Sequence, residues 1–322
     1  MTEFHPSDFK SIGELSFCGI SSAVVAIGVF DGVHKGHQRL LTELLGMAKT
    51  FSADPVVMTF FPHPRQLLTA NPPPLLLPPE EKIRLLHRFG AKAVVTVDFT
   101  REFASLSPTE FLKRCLFSGP VAIRGICVGR KWRFGAHAGG DSRFLEHKAE
   151  EKGFHFSAVD ELCTERGTVI SSTAIRSAIS KGNLREAEAM LGRRYSLFGT
   201  VEKGYRIASG KLGSPTANLK ISAGVLPLLG VYAAFVHLNG RRFPAAVNIG
   251  TSPTFRNQYG DIAPRIEIHI LEGFKADLYG LSLELELVEF IRPELAFDNP
   301  EELKQQIAKD IGQIAGILRE GN

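Results

Sequence analysis

The stretch Ala23-Val24-Val25-Ala26-Ile27-Gly28-Val29-Phe30-Asp31-Gly32-Val33-His34-Lys35-Gly36-His37 decides how the chain begins to fold. From Ala23 to Phe30 it carries no charge, and up to Val29 it is made of β-branched and small apolar residues, the signature of a strand buried on both faces. Beyond His37, Leu40, Leu41, Leu44, Leu45 and Ala48 recur at helical spacing between Gln38 and Lys49. The glycine-containing turn therefore joins a buried strand to a helix. A helix N-terminus offers unpaired N–H groups and the positive end of a dipole, so phosphate binds there readily. Gly32 and Gly36 let backbone approach a ligand closely. His34 and His37 can both donate to phosphoryl oxygens, and the same pair could serve as turn and capping residues or as a metal pair. Their place after a buried strand, among glycines, favours phosphate chemistry.

Working outward, Pro55 to Phe61, Ala91 to Val97 and Val121 to Val128 read as further strands. Ser107-Pro108-Thr109-Glu110 opens a helix, with a Ser cap, Pro at the first helical position and Glu at the third. Strand–helix alternation implies an α/β domain on a parallel sheet, which binds ligands at the carboxyl ends of its strands. The proline-dense stretch from Asn71 to Pro79 reads as a stiff surface loop, an excursion within this first domain.

Past Ser171 a helix is expected to about Leu191, broken near Gly182. Strands follow: Gly230 to Leu238 and Phe243 to Ile249 flank Asn239-Gly240, a strong hairpin signal. Arg265 to Ile270 and Leu281 to Leu287 alternate strictly. The second half is therefore an antiparallel barrel or sandwich, with an amphipathic helix from Pro300 to Leu318. The boundary is expected at 183/184. Three further elements bear chemistry, the first of them just ahead of that boundary. Ser172 or Thr173 could cap a helix, or join Arg176 in a second phosphate cradle. Thr216 and Asn218, after Pro215, place two oxygen donors on one side of an extended chain, which suits Mg²⁺ or a polar turn equally. Alternation puts Glu267 with Arg265 and His269, opposite Ile266, Ile268 and Ile270, as a general base in a barrel mouth or as part of a solvated face.

The chain has 322 residues, enough for two domains at about 150 each. With 38 basic and 34 acidic residues the net charge is +4, which calls for no nucleic-acid partner. Cys18, Cys115, Cys127 and Cys163 are scattered without paired spacing, which suits reduced thiols in a cytoplasmic protein. No signal peptide, membrane span or internal repeat is expected. No Gly-x-x-x-x-Gly-Lys-Ser/Thr loop occurs, so this is not a P-loop enzyme.

Taken in order, the turn motif, Thr59-Phe60-Phe61-Pro62-His63-Pro64, Ile170 to Arg176, Leu191 to Tyr195, Leu212 to Asn218 and Asn248 to Phe255 resemble the bacterial bifunctional riboflavin kinase/FAD synthetase family, from about Ala23 to Asp310. The resemblance implies a Rossmann-like nucleotidyltransferase domain at 1–183, moving AMP from ATP onto FMN, and a riboflavin kinase barrel at 184–322. It implies that Gly28, Phe30, Asp31, Gly32, His34, Gly36 and His37 bind ATP in the first domain, with His34 and His37 stabilising charge at the α-phosphate. Ser172, Thr173 and Arg176 would take the departing pyrophosphate. In the second domain Gly210, Lys211, Gly213, Pro215, Thr216 and Asn218 would bind ATP, Thr216 and Asn218 would hold Mg²⁺, and Glu267 would deprotonate the riboflavin 5′-hydroxyl. Lys131, Glu267 and Arg292 would lie on the flavin side. Lys131 and Trp132 depart from the family pattern, which raises as an alternative a kinase with a weakened adenylyltransferase half. A non-catalytic flavin-binding regulator is a second alternative. Substrates would be small molecules (riboflavin, FMN and ATP), without nucleic acid or membrane.

Overall fold

The computed structural model describes residues 9–202, 217–250, 265–272, 278–297 and 299–320. The expected phosphate-loop residues Gly210, Lys211, Gly213, Pro215 and Thr216 lie outside the described residues. Backbone contacts divide the chain into two compact units, Met1–Pro73 with Pro79–Ser172, and Pro74–Pro78 with Thr173–Asn322.

In the first unit the elements run β1 (Ser22–Ile27), α1 (Lys35–Thr50), β2 (Asp54–Phe61), α2 (Pro64–Leu68), α3 (Pro79–Arg88), β3 (Ala93–Asp98), α4 (Arg101–Ala104), α5 (Pro108–Cys115), β4 (Ala122–Gly129), α6 (Ser142–Lys152) and β5 (His155–Val159). The strands form one sheet in the order β3-β2-β1-β4-β5, every neighbouring pair parallel. The uncharged run from Ala23 to Ile27 is central and fully buried, as a strand covered on both faces must be. Succession runs outward from β1 in both directions, so the switch point lies between β1 and β4, where an α/β sheet opens a crevice. The turn after β1 leads directly into it. At α5 the Ser107 side chain accepts from the Glu110 N–H while the Ser107 N–H donates to the Glu110 carboxylate at 2.8 Å, the reciprocal cap expected from the sequence.

The proline-dense stretch differs from the expected surface loop. Leu76 and Leu77 are buried, and Pro74–Pro78 gathers with the second unit. Prolines stiffen the backbone, but the three leucines between them are free to seek a core.

The second unit takes up α7 (Ser172–Ser180) from Thr173 onward, then α8 (Leu184–Leu191), β6 (Ser196–Glu202), β7 (Ala217–Ala223), β8 (Gly230–Leu238), β9 (Arg241–Gly250), β10 (Arg265–Ile270), β11 (Ser282–Arg292) and α9 (Pro300–Glu320). Gly182, at φ +76°, lies in the break between α7 and α8. Of the two antiparallel architectures the chain adopts the barrel, closed in the order β10-β7-β6-β11-β8-β9. Asn239 and Gly240 both take positive φ, 49° and 73°, as the two-residue turn between β8 and β9 requires. Helix α9 buries Ile314 and Leu318 against Ala233 and Phe235 of β8.

Tyr195 fastens the entry to the barrel. Its buried hydroxyl accepts from the Val225 N–H at 2.6 Å and donates to the Val225 carbonyl at 3.1 Å. Tyr195→Phe should therefore cost about 1–3 kcal/mol, because both backbone groups lose their partner without gaining water. A urea titration following the barrel's transition should show a lower midpoint with unchanged slope.

Candidate active sites

In the first unit the decisive turn is built around two stacked imidazoles. His34 is the N-cap of α1, and its Nδ1 accepts from the His37 N–H at 3.3 Å. In a neutral ring that bond leaves Nε2 as the donor. The two rings lie 3.6 Å apart at 18°, and His37 also tilts against Phe30 at 5.2 Å. A side chain on Gly36 would press on the His34 ring at 3.1 Å, so glycine there lets the ring fold back over the helix start. The capping reading and the phosphate reading thus describe one geometry: the cap orients the donor.

His37 is half-buried, and its Nδ1 is a buried atom with no hydrogen-bond partner. Burial first, then the neighbouring His34 and Lys82, hold its pKa well below the ordinary histidine value. An unpaired buried nitrogen costs about 1–3 kcal/mol and is uncommon outside sites that do chemistry. The backbone is also held away from its preferences here. Phe30 (φ 54°) and Val33 (φ 40°) both sit in the left-handed region, at about 1–3 kcal/mol each, and Val33 is β-branched. Several bonds enforce this shape. Thr59 Oγ1 donates to the Val29 carbonyl at 3.1 Å, Gln38 Nε2 donates to the Val33 carbonyl at 3.0 Å, and Ser172 Oγ donates to the Asp31 carbonyl at 2.8 Å.

Ser172 thus donates its hydroxyl proton into the turn. It opens α7 and ties the second phosphate motif to the first. Thr173 and Arg176 follow on the same helix, where Arg176 Nε donates to the Pro74 carbonyl at 2.7 Å. Gly28, Asp31 and Gly32 lie along the turn, with Asp31 buried. Lys131 is mostly exposed and pairs with Glu161 at 2.5 Å, while Trp132 stacks on Phe134 at 4.7 Å and packs against the core of the first unit. The departing dipeptide thus divides between solvent and core.

One residue of this site was missed from the sequence. Lys82, on α3, is only 9% exposed, and its Nζ reaches Thr59 Oγ1 at 3.1 Å and the Val29 carbonyl at 3.4 Å. Within Glu80-Glu81-Lys82 it looks like part of a solvated charge run; only the packing of α3 onto the sheet reveals it.

In the barrel, pairing register supplies the geometry. Glu267 on β10 stands directly opposite Asn218 on β7 and Asn248 on β9. Directly opposed residues share a face, so a carboxylate is flanked by two amides across three strands. Burial raises the pKa of Glu267, Arg265 opposes that shift, and Glu294 adds to it. Glu294 is brought close by Gly250, since a side chain there would collide with its carboxylate. Asn248 was not singled out as a site residue from the sequence, where no signal shows which residues face one another. Arg292, expected on the flavin side, grips Asp310 of α9 through Nη2 at 2.7 Å and Nε at 3.0 Å, so its guanidinium anchors the C-terminal helix.

Comparison with known proteins agrees with this division. A family model described as FAD synthetase matches residues 20–174, and one described as riboflavin kinase matches residues 191–318. The bifunctional riboflavin kinase/FMN adenylyltransferase of Escherichia coli (strain K12) is 36% identical over 94% of each chain. The protein of the same description from Bacillus subtilis (strain 168) is 32% identical over 90% of each chain. A crystal structure from Streptococcus pneumoniae, described as a macrolide-efflux protein, has a TM-score of 0.79 at 31% identity and covers 90% of this chain and 92% of its own. Among the described residues of the present chain no helix is long and apolar enough to cross a membrane. With both family models matched in order and full-length relatives above 30% identity, the chain belongs to the bifunctional riboflavin kinase/FMN adenylyltransferase family.

Proposed function

We propose that the chain phosphorylates riboflavin to FMN in its barrel and adenylylates FMN to FAD at the strand-to-helix turn of its first unit. The observation that carries this reading is that each compact unit has its own constellation: stacked histidines at a helix start in one, a carboxylate between two amides in the other.

In the barrel, Glu267 takes the proton of the riboflavin 5′-hydroxyl as that oxygen attacks the γ-phosphorus of ATP. The bond to the β–γ bridging oxygen breaks and ADP leaves. The raised pKa of Glu267 makes it a stronger base than an exposed carboxylate. Asn218 and Asn248 orient it and present amide oxygens of the hard type that Mg²⁺ accepts. Asn218, with Thr216, would hold the ion, which when bound neutralises charge on the ATP phosphates. Gly210, Lys211, Gly213 and Pro215 complete the proposed ATP loop.

In the first unit a phosphate oxygen of FMN attacks the α-phosphorus of ATP, and the bond to the bridging oxygen breaks to release pyrophosphate. His34 and His37 donate to oxygens whose charge grows during transfer, while Gly28, Phe30, Asp31, Gly32 and Gly36 shape the nucleotide's seat. Ser172, Thr173 and Arg176 receive the leaving pyrophosphate. No covalent intermediate is needed, since positioning and electrostatics carry such transfers. Lys131 borders the flavin of this step from the loop after β4, whereas Arg292 serves the flavin side of the barrel through its hold on α9. The scattered cysteines, suited to a reducing compartment, support assigning both steps to the cytoplasm.

Purified protein incubated with riboflavin, ATP and Mg²⁺, then resolved by chromatography, should yield FMN and then FAD. FMN alone would remove the adenylyltransferase assignment, and neither product would remove both. We place the functional boundary at 183/184, in the break marked by Gly182. Residues 184–322 expressed alone should fold and convert riboflavin to FMN without forming FAD. FAD formation by that fragment would show the two sites to be misassigned.

A further inference from the structure

We infer that Lys82 is a positioning residue for adenylyl transfer, its buried ammonium holding the Val29 carbonyl and the Thr59 hydroxyl so that the strained turn keeps His34 and His37 in reacting register. The inference rests on the assignment of that turn as the adenylyltransferase site.

Three observations converge on this lysine. It lies with its charge almost wholly out of water, a place lysine occupies only when the charge is used or paired. Its hydrogen bonds go to groups that shape the turn: Lys82 Nζ, Thr59 Oγ1 and the Val29 carbonyl form a closed set, with the lysine and the threonine converging on one carbonyl oxygen. That carbonyl belongs to the residue immediately before Phe30, where the backbone turns left-handed and begins the stretch that ends at the His34 cap. Strain of this kind survives only where neighbouring structure over-determines it, and the ammonium is the charged member of the clamp.

Electrostatics gives the same lysine a second connection. Burial lowers its pKa to about 8 while Asp31 opposes that shift, and its charge, with that of His34, is among the causes that keep His37 neutral. Lys82 thus remains mostly protonated at pH 7 and loses its charge within an accessible alkaline range. Both of its bonds end on groups of the turn, so it acts through the turn.

The test uses full-length protein and both reactions. Lys82→Met keeps the length of the stem and removes the donors. It should lower kcat for FAD synthesis from FMN and ATP about 10²-fold, the scale of a misplacement of ~1 Å. KM for ATP should change much less, and riboflavin phosphorylation by the same molecules should hold at the parental rate. Lys82→Arg should recover much of kcat. In the parental protein kcat for FAD synthesis should decline as pH rises through about 8, and Lys82→Arg should extend the plateau, because a guanidinium stays charged there. A lysine that merely supports the fold would lower the melting temperature and leave both kcat per folded molecule and the pH profile in place. Parental kcat in folded Lys82→Met, or a parental profile that stays flat well above pH 8, overturns the inference; the second measurement stands even if the Met variant does not fold. His37→Ala separates the two levels. If it also retains parental FAD synthesis, the site assignment has failed, whereas loss in His37→Ala without loss in Lys82→Met sinks the role of Lys82 alone.

Discussion

Glu267→Gln is expected to lower the rate of riboflavin phosphorylation about 10²–10⁴-fold, the usual cost of removing a general base, while FMN adenylylation stays nearly unchanged. The amide keeps the shape of the side chain and its place between Asn218 and Asn248, so the ladder should persist. What disappears is the ability to accept a proton. The pH dependence carries the same information with a definite sign. Burial and Glu294 raise the pKa of this carboxylate, with Arg265 opposing. The acid limb of kcat/KM for the kinase reaction should therefore lie above the ordinary glutamate range and vanish in the Gln variant. A variant that phosphorylates riboflavin at the parental rate would remove Glu267 from the mechanism.

For the histidine pair, each His→Ala change should cut kcat for FAD synthesis about 10²–10³-fold, the cost of losing one preorganised donor. KM for ATP should rise less, because an interaction stronger in the transition state than in the ground state appears in kcat. The two variants should differ in stability. His34→Ala also removes the acceptor for the His37 N–H, so it loses a helix cap worth about 0.5–2 kcal/mol. His37→Ala relieves a buried nitrogen that has no partner, so its melting temperature should stay closer to parental. Asparagine at either position should restore part of the rate, since its amide still donates. Folded alanine variants that make FAD at the parental rate would reduce both histidines to turn residues.

Much of this organisation can be read from the amino-acid sequence, for local reasons. A central strand that must be buried on both faces carries no charge, so β1 and the turn after it stand out. Asn239-Gly240 names its own turn because few residues tolerate consecutive left-handed conformations. Ser107 and Glu110 announce α5 because the cap is made within four residues. What escaped depends on partners far along the chain. Lys82 resembles its solvated neighbours, and only α3 lying on the sheet turns it inward. Asn248 joins Glu267 through a register that no single strand reveals. Leu76 and Leu77 hide among prolines whose stiffness suggests a surface position. Arg292 sits at the end of an alternating strand, and its clasp on Asp310 needs α9 to fold back. Short-range chemistry is legible, and long-range pairing is not.

Closure of the barrel gives the two halves unequal exposure to misassembly. Among the described residues every barrel strand is paired on both sides, so these strands offer another chain no row of unpaired N–H and C=O groups. The first unit's sheet instead ends in β3 and β5, each with a strand neighbour on one side only, the outer side of β3 meeting the Phe9 carbonyl through the Thr96 N–H. Crowded or newly made chains would find a template for edge-to-edge association in the half that makes FAD, while the described barrel strands of the half that makes FMN offer none.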